Sequence, residues 1–319
     1  MTRRLLLSLL SVLSVLALVV GGVAPAAARP GPGGPKPGHL LRAHDRVVAY
    51  YQTIYTTDAD GTKHYVDPRP LAKVATDVNV GAVHLNDDRS LHLNDDPPND
   101  PSFDRMWADL HAMQRRGVRV NAFVGGAAQG SYRNLAEHFD VYYPILRDFL
   151  RTYRLDGVDL DIEEPFSLDD TVHLVRALRH DFGPRFVITL TPVAADLAGL
   201  TDFSGGFSYA ELERRAGRDI NWYNAQFYCG WGDLRTTDMY DKVLANGFAP
   251  SRFVAGTVTN PANCGGYVEP ATLASVLHTL THEHPDFGGV AGWEYFNALG
   301  PGDTGPAGWY GAVRRDLRP

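Results

Sequence analysis

The sequence predicts a (β/α)8 barrel, and three observations carry the prediction. Short β-branched or aromatic runs recur roughly every 30 to 40 residues, helix-like segments stand between most of them, and eight such runs fit into about 280 residues. The runs are Val47–Tyr51, Val78–Leu85, Arg119–Val124, Gly157–Glu163, Phe186–Leu190, Trp222–Tyr228, Phe253–Thr257 and Gly289–Tyr295. Between them, Ser102–Arg116, Tyr142–Tyr153 and Leu168–His180 place apolar residues at helical spacing, Ile145, Phe149 and Leu150 among them, and Gly117 and Gly183 stop two of these segments. A doubly wound sheet would alternate in the same way. It is disfavoured because Y-Y-Q-T-I-Y follows the first run where a Gly-rich phosphate loop would stand.

Residues 1–28 open with Arg3 and Arg4, continue through the apolar run Leu5 to Val20 and end in Ala24-Pro25-Ala26-Ala27-Ala28, the layout of a cleaved secretory signal peptide. The apolar run is short for a membrane span, which needs about 20 residues. Residues 29–39, rich in Pro and Gly, read as a flexible spacer, and residues 40–319 as a single domain. The expected location is therefore extracellular, with no membrane attachment after cleavage.

The chain carries a formal net charge of −7, and loss of Arg3 and Arg4 with the leader makes it −9. Nucleic acid and anionic membrane are unsuited partners for such a chain. The two cysteines, Cys229 and Cys264, meet an oxidising compartment on export, so a disulfide is expected. Two cysteines alone make a poor metal site, and neither a metal nor a cofactor is called for.

The segments after the strands are long and polar or aromatic, as in Gln52–Asp67, Asn86–Pro101, Gly125–Asn134 and Asn260–Val268. Barrel enzymes build their sites from loops at the carboxyl ends of the strands. The fourth run, L-D-G-V-D-L-D-I-E-E-P from Leu155, is the most informative. Side chains at i and i+2 share a face of a strand about 6 to 7 Å apart. Asp159, Asp161 and Glu163 therefore line one face, while Val158, Leu160 and Ile162 line the other and can bury against helices. That leaves the acids pointing inward, with Glu163 nearest the mouth.

Like charges so close cannot all stay ionised in a low-dielectric pocket, so a carboxyl should hold a proton that a general acid can donate. A cation site is the competing reading, but a strand lacks the curvature to wrap oxygens around calcium. A solvated acidic edge would leave the apolar alternation unexplained. Asp156 precedes the strand proper and reads as structural, bonding backbone amides at its entrance. Glu164 has no role assigned by the pattern.

Asp156-Gly157-Val158-Asp159-Leu160-Asp161-Ile162-Glu163 resembles the D-G-x-D-x-D-x-E signature on strand four of the family 18 glycoside hydrolases, the chitinases and endo-β-N-acetylglucosaminidases. Asn224-Ala225-Gln226-Phe227-Tyr228 is similar to the family's strand-six segment, and Gly292-Trp293 to its strand-eight Trp. Gly125-Gly126 resembles the family's S-x-G-G element, with Phe123 where the Ser would be.

The resemblance implies substrate-assisted retention rather than a protein nucleophile. Glu163 would protonate the glycosidic oxygen, the acetamide oxygen of the −1 sugar would attack its own C1, and Asp161 would orient the acetamide N–H. Asp159 would share a proton with Asp161, Tyr228 would donate to the acetamide oxygen, and Trp293 would stack under the sugar. Further substrate contacts are expected from Tyr51, Gln52, His84, Asn86, Gly125, Gly126, Pro192, Asn224, Gln226 and Trp231. This polar set suits branched glycans, and V-D-L-D-I-E-E with N-A-Q-F-Y-C-G-W-G looks most like secreted endo-β-N-acetylglucosaminidases cutting the chitobiose core of N-glycans. A chitinase on soluble oligomers and a sugar-binding, lectin-like protein are the alternatives. A monomer acting on N-acetylglucosamine-containing glycans is expected.

Overall fold

The structure is a computed structural model that describes residues 45–318. The expected signal peptide and spacer lie outside the described residues. Eight parallel strands close on themselves: β1 (Arg46–Tyr51), β2 (Asp77–Leu85), β3 (Arg119–Gly125), β4 (Gly157–Asp161), β5 (Val187–Leu190), β6 (Trp222–Gln226), β7 (Phe253–Val258) and β8 (Gly289–Trp293). β1 pairs with both β2 and β8, which closes the barrel. A short antiparallel hairpin, Tyr55–Thr57 with Lys63–Tyr65, follows β1, and Leu91–Leu93 folds back antiparallel on β2. The outer layer comprises α1 (Asp104–Gln114), α2 (Ser131–Glu137), α3 (Phe139–Thr152), α4 (Leu168–Phe182), α5 (Ala194–Leu197), α6 (Tyr209–Ala216), α7 (Asp238–Ala245), α8 (Pro270–Glu283) and α9 (Pro306–Asp316).

The alternation read from β4 is present in space. Val158 and Leu160 join the apolar layer between strands and helices, together with Leu174, Val175 and Leu178 from α4. Truncating a side chain there, as in Leu160→Ala, costs about 2–5 kcal/mol. α4 starts at Ser167, whose hydroxyl accepts from the Asp170 amide at 3.1 Å, carries Asp169 and Asp170 in its first turn and ends at Gly183 with φ +76°. Each feature satisfies or complements a helix end.

Inward positions mix a small apolar cluster, Val48, Ala82, Val187, Val254 and Ala291 among it, with polar side chains. At the amino end of the strands, Arg119 forms two 2.7 Å bonds with the buried Asp77, and Arg46 and Arg119 lie over Trp222 at 4.4 and 5.4 Å. Farther along come Asn79, Asn121, Asp159, Thr189 and Asn224, all buried. Gly157 makes room for this layer, since a Cβ there would lie 2.5 Å from Asn121 Oδ1 and from Val187 O.

Three strands are two residues shorter than the sequence pattern suggests. β4 ends at Asp161, β6 at Gln226 and β8 at Trp293. Glu163 and Tyr228 therefore sit on backbone just past the strand ends, where the chain has begun to turn.

Candidate active site

Asp159 and Asp161 both point into the barrel from β4, but their surroundings differ. Asp159 is fully buried and accepts five hydrogen bonds: from Tyr50 Oη at 2.7 Å, Asn79 Nδ2 at 3.0 Å, Thr191 Oγ1 at 2.7 Å, Thr189 Oγ1 at 2.5 Å and Asn224 Nδ2 at 2.9 Å. Burial raises its carboxyl, while bonds from Thr189, Thr191, Tyr50 and Asn224 pull it back. A carboxylate has about four lone-pair sites, so this one is saturated. Asp159 acts on Asp161 as a neighbouring charge that raises it.

Asp161 has one protein donor, Gln226 Nε2 at 3.2 Å, and the same nitrogen lies 3.2 Å from Glu163 Oε1 and 3.0 Å from Thr191 O. Burial, then the neighbouring Glu163, then Asp159, push the Asp161 carboxyl well above the ordinary range. Burial and the two neighbouring carboxyls therefore favour the protonated form of Asp161.

The pair opens into a cavity of about 440 Å³ lined by Tyr50, Gln52, His84, Phe123, Gly125, Gly126, Thr191, Gln226, Tyr228 and Trp293, among others. Tyr228 is buried there without a protein hydrogen-bond partner among the described residues, and burial with the nearby Asp161 and Glu163 keeps its phenol protonated. Trp293 packs edge-on against Tyr50 and Phe123, at 5.5 and 5.8 Å between centroids, and so forms part of an aromatic floor. Phe123, at the position where the resemblance lacks its Ser, thus has a wall to build. Gly125 has φ +93°, and a Cβ on it would meet Asp161 O at 2.4 Å. Gly126 donates its amide to the same oxygen at 2.9 Å, which fixes the cavity wall to β4.

A larger groove of about 1340 Å³ adjoins this cavity, sharing Gln52, His84 and Ala128 with it. It runs over the loops after β1, β2 and β3, and Asn86, Asp87, His92, Asp95, Gln129 and Arg133 are among its polar walls. His84 and His92 face each other across the β2 hairpin, and burial lowers the His84 pKa.

Several expected substrate contacts lie elsewhere. Tyr51 faces outward into the helix layer and donates to Val66 O at 2.7 Å; strand alternation gives the inward place to Tyr50. Asn224 is buried beneath the cavity, bonded to Asp159 and to Trp222 Nε1 at 2.9 Å, so it supports rather than touches a ligand. Pro192 is buried too and contributes its carbonyl to the Gln226 amide at 2.9 Å; its neighbour Thr191 reaches the cavity. Trp231 lines neither cavity nor groove and stacks on Phe203 at 4.6 Å.

Glu164 has a defined place that the strand pattern could not give. The chain turns after Asp161, and the Glu164 carboxylate is buried, accepting from the Gly130 amide at 2.9 Å and from the Tyr132 amide at 2.8 Å. It thereby caps α2 from a different loop, since Gly130 has no side chain to do so. Asp156 accepts from the Val120 amide at 2.9 Å and from Gln114 Nε2 at 2.8 Å, tying β4 to β3. Tyr50, Asn79, Thr189 and Thr191 escaped the reading, although inward parity with Asp159 across the strands was a signal for all four. Among the described residues no group of three or more His, Cys, Asp or Glu is placed to hold a metal ion. Cys229 and Cys264 form a disulfide that joins the loops after β6 and β7, and Cys229 borders the cavity.

Residues 46–260 match the model of the glycosyl hydrolases family 18. Among solved structures, a fungal endo-beta-N-acetylglucosaminidase from glycosyl hydrolase family 18 is similar with 40% identity and a TM-score of 0.79, over 86% of this chain and 98% of that one. Chitinase ChiC from Aspergillus fumigatus is similar with 41% identity and a TM-score of 0.76, over 86% of this chain and 100% of that one. A curated relative, Chitinase 2 of Rhizopus oligosporus, is 28% identical over 216 residues, 62% of this chain, and the match spans 38% of that relative's length. The chain belongs to glycosyl hydrolases family 18.

Proposed function

From this membership and the site geometry we propose that the chain is a secreted glycosidase. It hydrolyses β-1,4 linkages between N-acetylglucosamine residues by substrate-assisted retention, favouring the chitobiose core of N-glycans, and acts as a single chain after removal of residues 1–28. The observation that carries the reading is the Asp161–Glu163 pair bridged by one Gln226 amide nitrogen at 3.2 Å to each carboxylate.

In this mechanism the −1 sugar enters the cavity over Trp293 with its acetamide toward Asp161 and Tyr228. The acetamide N–H donates to Asp161 and so favours its carboxylate form, and a proton that Asp161 releases passes to Glu163. Glu163 gives that proton to the glycosidic oxygen as the C1–O bond breaks. The acetamide oxygen closes on C1, and Asp161 stabilises the positive oxazolinium. Water then loses a proton to Glu163 and opens the ring, so no protein nucleophile is needed. Asp159, with its five donors, holds the strand and its charge in place beneath the reaction.

The broad polar groove beside a cavity of one-sugar scale supports a branched glycan over a linear chain. The 41% identity to a chitinase supports the second reading, cleavage of soluble chitooligosaccharides. Incubation with a high-mannose glycoprotein and with N-acetylglucosamine oligomers separates them: a gel shift in the first favours the N-glycan reading, shortened sugars alone favour the chitinase. Sugar binding without either product would sink the enzyme and leave a lectin.

A further inference from the structure

Glu294 follows the cavity's Trp293 and is buried, yet it lines neither the cavity nor the groove. Its carboxylate turns to the loop after β1: Oε2 accepts from the Gln52 amide at 3.2 Å and from the Thr53 amide at 3.0 Å, and Oε1 accepts from Thr53 Oγ1 at 2.9 Å. Burial raises this carboxyl, and the bonds from Thr53 and Gln52 pull it back. Taking a carboxylate out of water costs free energy that a loop with water-solvated amides would not require. Two successive backbone N–H groups directed at one oxygen form a fixed anion-binding concavity, so the arrangement holds the loop in one conformation.

The same residue is gripped from its other side. Asn94 Nδ2 donates to Gln52 O at 3.0 Å, while Asn94 Oδ1 accepts from the Ala82 amide at 2.8 Å and the Asn94 amide donates to Ala82 O at 2.7 Å. Gln52 is therefore tied through its backbone to the loop after β8 and to β2. Its half-buried side chain is left without a hydrogen bond among the described residues and, with His84 and Ala128, lines both the cavity and the groove. An amide with donors and acceptor free, on a backbone clamped from both sides, is preorganised for a ligand that passes this neck.

The carboxylate acts on Gln52 and not on Trp293. Other bonds hold the chain around Trp293 without the Glu294 side chain: Trp293 O accepts from the Thr259 amide at 2.9 Å and from Asn263 Nδ2 at 2.8 Å, Glu294 O accepts from Thr259 Oγ1 at 2.6 Å, and the Tyr295 amide donates to Tyr50 O at 2.9 Å. We propose that Glu294 is a positioning residue for glycan binding. It sets the Gln52 amide at the neck, where that amide meets the sugar passing from the cavity into the groove, a role that rests on the glycosidase reading above.

Steady-state kinetics on whichever of a high-mannose glycopeptide and the N-acetylglucosamine tetramer the wild type cleaves test this role. Glu294→Ala should raise KM about fivefold, the scale of one lost hydrogen bond, while kcat falls by less than about twofold. Gln52→Ala should do the same, and the double variant should be no worse than Gln52→Ala alone, because one residue acts through the other. Glu294→Gln should stay near the wild type, since its carbonyl oxygen can accept from both amides and its amino group can donate to Thr53 Oγ1. Should Glu294→Ala fail to fold, Asn94→Gly, which tolerates the positive φ of Asn94 and frees Gln52 O, should give the same rise in KM. Losses that multiply in the double variant, a fall confined to kcat, or an unchanged KM in Glu294→Ala or Asn94→Gly would overturn the positioning role alone. A wild type that cleaves neither substrate would overturn the proposed function and this role with it.

Discussion

Asp159 and Asp161 stand two residues apart on the same face of one strand and both are buried, yet one accepts five hydrogen bonds and the other a single long one. The lower level of the barrel interior is a network in which five donors converge on Asp159, with Asn121 Oδ1 left without a partner. The mouth is left open: Asp161, Glu163 and the Tyr228 hydroxyl have spare hydrogen-bonding capacity directed at a cavity. Satisfaction of polar groups, more than burial or residue type, separates the groups that hold the site from the groups that work in it.

Four substitutions break or sharpen this contrast. The largest effect belongs to the mouth: Glu163→Gln removes the transferable proton with little change in volume. Turnover should fall by roughly 10³-fold or more while sugar binding persists, as measured by steady-state kinetics beside calorimetric titration. A variant with most of its activity would refute the acid assignment. At the lower level, Asp159→Ala strands five donors, and chemical denaturation should report a loss of about 3–5 kcal/mol. A change under about 1 kcal/mol would mean that the network contributes little.

Asp161→Asn should act in the opposite direction on stability. The folded-state pKa of Asp161 is raised, so above the unfolded value of about 4 the native state keeps a proton that the unfolded chain releases. Stability from this group is therefore full below about pH 4 and is lost as pH rises toward the folded pKa, by up to about 1.4 kcal/mol per pH unit. Asparagine does not titrate. Its melting temperature should match the wild type near pH 4 and exceed it increasingly as pH rises from there toward the folded pKa, and a constant offset would contradict the raised pKa. The smallest effect is expected from Glu164→Ala, which uncaps α2 and frees the Gly130 and Tyr132 amides at a cost of about 1–3 kcal/mol. Faster amide hydrogen exchange confined to residues 127–133 would confirm the local origin.

The barrel and its acidic strand were legible because both rest on periodicity. Eight strand signals at regular spacing imply closure, and the apolar alternation at Val158 and Leu160 forces the acids inward. What escaped the sequence depends on where a strand stops and on contacts across it. Tyr51 and Tyr50 differ by one position, and only pairing to β2 and β8 fixes which ring enters the barrel. Glu164 could be placed only once β4 was seen to end at Asp161, because the turn carries the next carboxylate to α2, a helix from the preceding unit. Asn224 and Pro192 were near the site in sequence but act one step behind it, through Asp159 and through the Gln226 amide.

The claim that the mouth is built for an acetamide rather than a protein nucleophile has one direct measurement. It is the initial rate on the N-acetylglucosamine substrate the enzyme cleaves, compared with the same substrate lacking the N-acetyl group on the −1 sugar. The account predicts cleavage of the acetylated form and none detectable of the other, since the proposed mechanism takes its attacking oxygen from the substrate. Comparable rates on both would contradict it.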